Sequence, residues 1–167
     1  MLKNQKTRDK IEQLIFAAMI AALYIALTLS FAAISYGSFQ CRISEALTIL
    51  PVFTPFAIPG LAVGCMISNI FGMTIIGPWD ILIGSAATLA AAICTYFLRN
   101  IKIKDIPILA PLPPVIINAV VIGLELSIVQ NTPFIIDAFF VFLGQTAACY
   151  VLGIPLYIAL KKVDIKF

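Results

Sequence analysis

Long apolar runs, broken by short polar or proline-containing stretches, make up most of this chain. Little of it shows the alternation expected of a half-buried strand or of an amphipathic surface helix. A helix needs roughly 17–25 residues to cross a hydrocarbon layer about 30 Å thick. Five runs are long enough: 11–35, 57–76, 79–98, 113–130 and 133–160. Pro113 and Pro114 suit the first turn of their helix, where a missing N–H costs nothing. The last run has length to spare for a tilt, and Gly153 with Pro155 predicts a bend near its inner end. The expected organisation is one transmembrane domain over 1–167, embedded from about residue 11 to residue 161.

Charge changes the count of crossings. Ten of the 11 basic residues fall in three clusters: Lys3, Lys6, Arg8 and Lys10; Arg99, Lys102 and Lys104; Lys161, Lys162 and Lys166. Arg42 stands apart. Basic residues flanking spans stay on the cytoplasmic side, which predicts both termini and the loop 99–104 inside. Five crossings contradict this, because three of them precede Arg99 and would carry it outside. The one candidate for an extra crossing is 43–53, about 16 Å long as an α-helix and too short to span alone. It is expected to be tilted, partly extended, or buried among the other helices, where irregular backbone is tolerated. The predicted fold is an all-α integral membrane bundle of six transmembrane helices, the second one short, in the cell membrane with both termini cytoplasmic.

On that topology Glu45, Asp80, Glu125 and Asp137 share the outer half with Arg42, a net charge of −3. The inner half sets ten bases against Asp9, Glu12, Asp105 and Asp164, a net +6. An outer cavity of that sign favours a cationic or donor-rich ligand.

Composition excludes other classes. Hydrophobic residues are 62% of the 167 and charged ones 11%, against about 25% charged in a soluble domain; mean hydropathy is +1.07. The basic clusters read as topology anchors, so nucleic acid is not an expected partner. The apolar run from Leu14 to Ile34 exceeds the core of a secretory signal, so no cleaved signal peptide is expected. With no histidine, and with Cys41, Cys65, Cys94 and Cys149 far apart, the usual metal and haem spacings are missing. The cysteines read as small apolar packing residues. The sequence has no Gly-x-x-x-x-Gly-Lys-Ser/Thr loop for ATP and no Ser/His or Cys/His pair. Enzyme activity and a cofactor bound by this chain are therefore not expected.

A charge at mid-membrane costs about 2.5–3.5 kcal/mol on insertion scales, so such residues are usually paired or functional. Glu125 is the clearest candidate, with Asn118 seven residues earlier on the same helical face. A carboxylate and an amide so placed can read a ligand with several N–H donors and a carbonyl, or can clamp two helices. Gln145 and Asn69 carry the same two readings. Arg42 and Glu45, three apart, can pair on one helical turn or meet ligand. Asp80, just after Trp79, suits either a helix N-terminus or a ligand. Trp79, Tyr36 and Phe39 read as interfacial aromatics or as stacking platforms.

Small residues recur every four positions: Ala17/Ala21 and Ala18/Ala22/Ala26 in the first span, Gly60/Gly64/Ser68/Gly72 in the third, Ala86/Ala90 and Ala87/Ala91 in the fourth. Each series lets backbones approach closely in lipid. The third and fourth spans suggest packing within the chain, whereas the two rows of the first could also serve an external partner.

The stretch Gln40-Cys41-Arg42-Ile43-Ser44-Glu45-Ala46-Leu47-Thr48-Ile49-Leu50-Pro51 resembles the arginine-Ile/Val-Ser-Glu-Ala-Leu-Thr signature of the QueT family. Further matches are Pro59-Gly60-Leu61, Asp80 with Gly84-Ser85 and Ala87-Thr88-Leu89, Ala110 to Pro114, Gly123-Leu124-Glu125 and Tyr150 to Pro155. The resemblance covers roughly 10–160, with Cys41 standing where the pattern has an aromatic. It implies a six-helix substrate-binding S component of an energy-coupling-factor (ECF) transporter for queuosine precursors. Such a component docks on an ECF transmembrane coupling subunit driven by two ATPase subunits, which use the ATP. It implies an alanine face on the first helix for that docking, here Ala17, Ala18, Ala21, Ala22 and Ala26. The implied ligand is a 7-deazaguanine such as the 7-aminomethyl form or queuine. Glu125 would take its donor edge, Asn118 and Gln145 its ring atoms, and Glu45 or Asp80 its amine. A stand-alone cation- or proton-coupled secondary transporter is the rival reading, although no inverted repeat is seen. A purely structural scaffold leaves the intramembrane polar residues unexplained.

Overall fold

The computed structural model describes residues 2–36, 41–72 and 77–162, and in that range it contains helices and no β-strand. Helix α1 (Leu2–Ser30) breaks at Phe31 and resumes for one turn as α2 (Ala32–Ser35). A 3-10 helix (Ile43–Val52) follows, then α3 (Ala57–Gly72), α4 (Trp79–Leu98), α5 (Leu112–Gln130) and α6 (Phe134–Thr146). A π-helical segment (Ala147–Leu152) carries α6 without interruption into α7 (Gly153–Lys162). Four helical stretches are long and apolar enough to cross a membrane: Lys10–Ser30, Trp79–Leu98, Leu112–Gln130 and Phe134–Lys162. Ile43–Val52 and Ala57–Gly72 are shorter apolar helices. Phe39, the end of the third expected span (73–76) and Lys166 lie outside the described residues.

Local chemistry explains most of the boundaries. Gly77, at φ 121, turns the chain into α4 behind Pro78. Proline occupies the first turn of α5, as its sequence predicts, and Asn131 closes that helix in the left-handed region. In the last helix the irregularity lies just before Gly153. Pro155 has no N–H for the Val151 carbonyl, and the turn ahead of it takes the wider π register.

The charged and amide side chains of the spans are gathered inside, and the exterior is apolar. Leu14, Met19, Phe97, Ile128, Ile135 and Val151 are exposed, whereas Arg42, Glu45, Asn69, Asp80, Asn118 and Gln145 are buried. That is the arrangement of a protein whose surroundings are lipid. Since lipid is as apolar as leucine, close backbone packing must hold the helices together. The glycine stripe of α3 does this against α1. A Cβ at Gly60 would lie 2.6 Å from the Ala17 carbonyl oxygen, and one at Gly64 would lie 3.1 Å from the Ala21 Cα. The two alanine rows of α1 therefore separate. Ala21 is buried and Ala17 half-buried against α3, while Ala18, Ala22 and Ala26 are exposed. The expectation that both rows form one external face is corrected to the second row. In α4, likewise, Ala87 and Ala91 are buried and Ala86 and Ala90 exposed.

Helices α1, α3, α4, α5 and α6 pack in sequence, and the 3-10 helix lies among α1, α4, α7 and the π segment. Residues Ser44 to Pro51 of the 3-10 helix are all buried, in line with the expectation that 43–53 is lodged among other helices. Its ten residues rise about 2.0 Å each rather than 1.5, so it reaches about 20 Å, still short of a full crossing. Three residues per turn sort it into three rows. Ser44, Leu47 and Leu50 face α1, where Thr28 bonds Ser44 and Ile20 and Tyr24 meet the leucines. Thr48 faces the π segment, where Cys149 Sγ lies 3.7 Å from its hydroxyl and 3.7 Å from the Glu45 backbone carbonyl. Ile49 and Val52 pack with Tyr157 of α7.

Gly60→Ala should lower stability by about 1–3 kcal/mol, because backbone blocks the new methyl. Ala90→Leu, on the exposed row of α4, should change it by less than about 0.5 kcal/mol. Thermal unfolding of both in one detergent makes the comparison.

Candidate functional site

Arg42 precedes the 3-10 helix in an extended conformation, φ −89 and ψ 106. That backbone swings its side chain away from the helix and toward α3 and α4. Its Nη2 lies 2.8 Å from Asp80 Oδ2, both side chains being buried. Nη1 donates to Asn69 Oδ1 at 3.0 Å. Asn69 in turn donates to the Asp80 backbone carbonyl at 2.7 Å, so acid, base and amide brace one another. The guanidinium sits 5.6 Å from the centre of the Tyr36 ring. That ring covers Gly72, and its hydroxyl donates to the Ser68 carbonyl at 2.6 Å. Cys65 Sγ lies under the group, 3.2 Å from the Thr88 hydroxyl.

One residue of the pair takes its partner from the first turn of α4, where the helix dipole also favours a carboxylate. Gly84, one turn on, makes room for it: a Cβ there would stand 2.5 Å from Asp80 Oδ1 and 2.7 Å from Asn69 Nδ2. On the other side, Tyr24 of α1 donates to Glu45 Oε1 at 2.5 Å. Between these carboxylates lies a small internal cavity lined by Arg42, Glu45, Gly84, Thr88, Asn118, Ile122 and Gln145. It offers about 10 Å³ to the centre of a water molecule, the room of roughly one water.

Buried polar atoms are normally paired. Among the described residues six buried side-chain atoms have no partner: Arg42 Nε, Glu45 Oε2 and Asp80 Oδ1 in this cluster, and both oxygens of Glu125 on α5, which is not part of the cavity lining. The sixth is Ser35 Oγ. Three of the four charged side chains thus have some atoms anchored and one left free; Glu125, 5% exposed, has both oxygens free.

The family model of the QueT transporter matches residues 14–162. The chain belongs to the QueT transporter family. It is 30% identical, over 174 aligned positions, to the "Queuosine precursor transporter QueT" of Lactococcus lactis subsp. cremoris (strain MG1363). The alignment covers 98% of this chain and 99% of that relative. No solved structure matches the chain. Membership in a transporter family, together with helices of membrane-crossing length, makes this QueT family member a membrane transport protein.

In this QueT family member Arg42, Glu45, Asn118 and Gln145 line the cavity, and Asn69 and Asp80 stand directly behind it. Asn118 and Glu125 are both on the buried side of α5, as their spacing requires. The Arg42–Glu45 pair is not formed. Arg42 bonds Asp80 instead: its carbonyl accepts the Glu45 N–H at 3.0 Å, but its extended φ and ψ send the side chain toward α3 and α4, away from the Glu45 carboxylate. Trp79 is not brought to the cluster; it is 65% exposed at the surface. Tyr24 and Thr28 belong to the network and were not singled out by the sequence; Cys65, read as a packing residue, and Thr88, noted only within a family match, belong to it too. Their signal was polar residues four apart, or four from a glycine, within apolar runs: Tyr24/Thr28 and Gly84/Thr88.

Asp80→Ala leaves Arg42 buried without its counter-charge and should cost about 3–5 kcal/mol of stability. Asp105→Ala breaks the exposed 3.7 Å pair with Lys161 and should cost less than about 1 kcal/mol. Equal shifts in unfolding temperature would contradict this assignment.

Proposed function

We propose that this chain is the substrate-binding S component of an ECF importer, capturing a 7-deazaguanine queuosine precursor, such as the 7-aminomethyl form or queuine, at its outer face. The observation that carries this reading is an imbalance among the free buried atoms of the interior charged side chains. Four are carboxylate oxygens, of Glu45, Asp80 and Glu125, and one is the Nε donor of Arg42. A complementary ligand offers chiefly N–H donors and positive charge. A guanine-like base presents a ring N–H and an exocyclic amine on one flat edge, and the side arm of these precursors supplies an ammonium. The relative named as a queuosine precursor transporter supports the same class.

In this reading Glu125 takes the donor edge, Asn118 and Gln145 the ring atoms, and Glu45 or Asp80 the amine, while Arg42 and Asn69 hold Asp80 in place. The closed cavity must part its walls to admit a bicyclic base. Ile43–Val52 and Ala57–Gly72 join the four longer stretches as crossings, giving six passes with both termini cytoplasmic. The chain performs no catalysis and holds no cofactor; two ATPase subunits use ATP, acting through a membrane coupling subunit. Its docking row on α1 is Ala18, Ala22 and Ala26, the row that α3 leaves open.

Mass analysis of small molecules co-purifying with the protein tests the ligand class directly. Glu125→Gln keeps the shape but turns an acceptor into a donor, and losing a hydrogen bond to a charged group costs about 1.5–3 kcal/mol. Affinity for the 7-aminomethyl compound should fall about 10- to 150-fold, with little change in the stability of the empty protein. Unchanged affinity with a large drop in stability would make Glu125 a structural clamp.

Uptake should need co-expressed ECF subunits. Proton-driven uptake by the chain alone in liposomes would establish the secondary transporter instead. For topology, cysteines placed at Lys102 and Lys161, with Cys41 and Cys94 replaced, should label from the cytoplasmic side alone; the remaining Cys65 and Cys149 are buried.

A further inference from the structure

A carboxylate that reads a ligand must be held in one rotamer, and the lower part of the cluster has a device for this that lies outside the cavity lining. Glu45 is 1% exposed and Tyr24 is 0% exposed. The tyrosine hydroxyl donates to Glu45 Oε1 at 2.5 Å, and Oε2 has no partner. The phenol therefore occupies one oxygen and leaves the other for the cavity, where Asn118 and Gln145 stand. Tyr24 is itself fixed. Its Cβ rests against the bare backbone of Gly64, where an added Cβ would come within 2.9 Å of it. Its carbonyl accepts the Thr28 hydroxyl at 2.8 Å. With that proton committed, the Ser44 hydroxyl donates to the same Thr28 oxygen at 2.7 Å. Two adjacent residues of the 3-10 helix, Ser44 and Glu45, are thus tied to two residues of α1 one turn apart.

We propose that Tyr24 is a positioning residue for ligand capture: its hydroxyl holds Glu45 with Oε2 turned to the cavity, without touching the ligand itself. This rests on the reading of the cavity as the ligand site. Freed from the phenol, the Glu45 side chain regains its torsional freedom and exposes a second unsatisfied oxygen.

The test is a double-mutant cycle on the full chain in detergent, with affinity for 7-aminomethyl-7-deazaguanine measured by titration calorimetry. Tyr24→Phe should weaken binding about 10- to 100-fold. In a Glu45→Ala background the same substitution should change affinity by less than about threefold, because there is nothing left to position. Additive losses would show that Tyr24 acts through general packing, and would overturn the proposal. Thr28→Val cuts the neighbouring tie but keeps the phenol, and should also cost less than about threefold. A loss as large as that of Tyr24→Phe would assign the effect to the placement of α1 and overturn it too. If Glu45→Ala weakens binding and Tyr24→Phe does not, only this inference fails. If neither Glu45→Ala nor Glu125→Gln weakens it, the ligand site itself is wrong.

Discussion

The central polar cluster of this bundle is built on the contact between Arg42 and Asp80. Two opposite charges attract more strongly in a low-dielectric interior than in water, but desolvating them costs several kcal/mol each unless further hydrogen bonds complete their shells. Asn69 provides one of those bonds, accepting from the guanidinium, and its amide N–H braces the Asp80 backbone carbonyl. The result joins the residue before the 3-10 helix to α3 and α4. It also fixes Arg42 in the extended conformation from which the 3-10 helix starts. The irregular segment can therefore lie at the centre of the bundle because its leading residue is anchored there by charge.

Around that anchor the apolar residues hold the fold by contact rather than by escape from water. Large aliphatic side chains cover the outside, and the glycines of α3 bring it against the α1 backbone. Gly64 serves both purposes, since the space it leaves is where Tyr24 must stand to reach Glu45. Helix packing and site geometry therefore depend on the same missing side chain.

Much of this could be read in the sequence, and the unread part has a physical cause. The expected spans 79–98 and 113–130 agree with α4 and α5 to within a residue, because proline and glycine mark their starts and the apolar runs are unbroken. Buried charges were recognisable because a lipid-embedded chain has few reasons to carry Arg42, Glu45 or Glu125. Which charge meets which could not be read. Arg42 and Glu45 are near in sequence, yet Arg42 bonds a residue on another helix, and nothing local to residue 42 announces its extended backbone. The alanine rows gave two faces of α1 but not their partners. That depended on α3 carrying glycines at the matching height. Trp79 and Asp80 are neighbours with opposite fates, one at the surface and one at the centre, as the roughly 100° between adjacent helical positions allows.

The 3-10 helix has a further consequence, for how the chain tolerates change in length. With three residues per turn it is a three-sided prism, and its sides meet different neighbours: the leucines α1, Thr48 the π segment, Ile49 and Val52 α7. Side chains three apart eclipse, so a side keeps its direction from end to end, whereas in an α-helix the same residues would drift by about 60° with every triplet. Adding or removing one residue turns all that follows by about 120°, a whole side of the prism. Hydrophobic content would be unchanged, yet Thr48 would stand where an aliphatic side chain packs. Substitutions in this segment can be graded by size and polarity, but a change of length by one is a permutation of faces, and no conservative version of it exists.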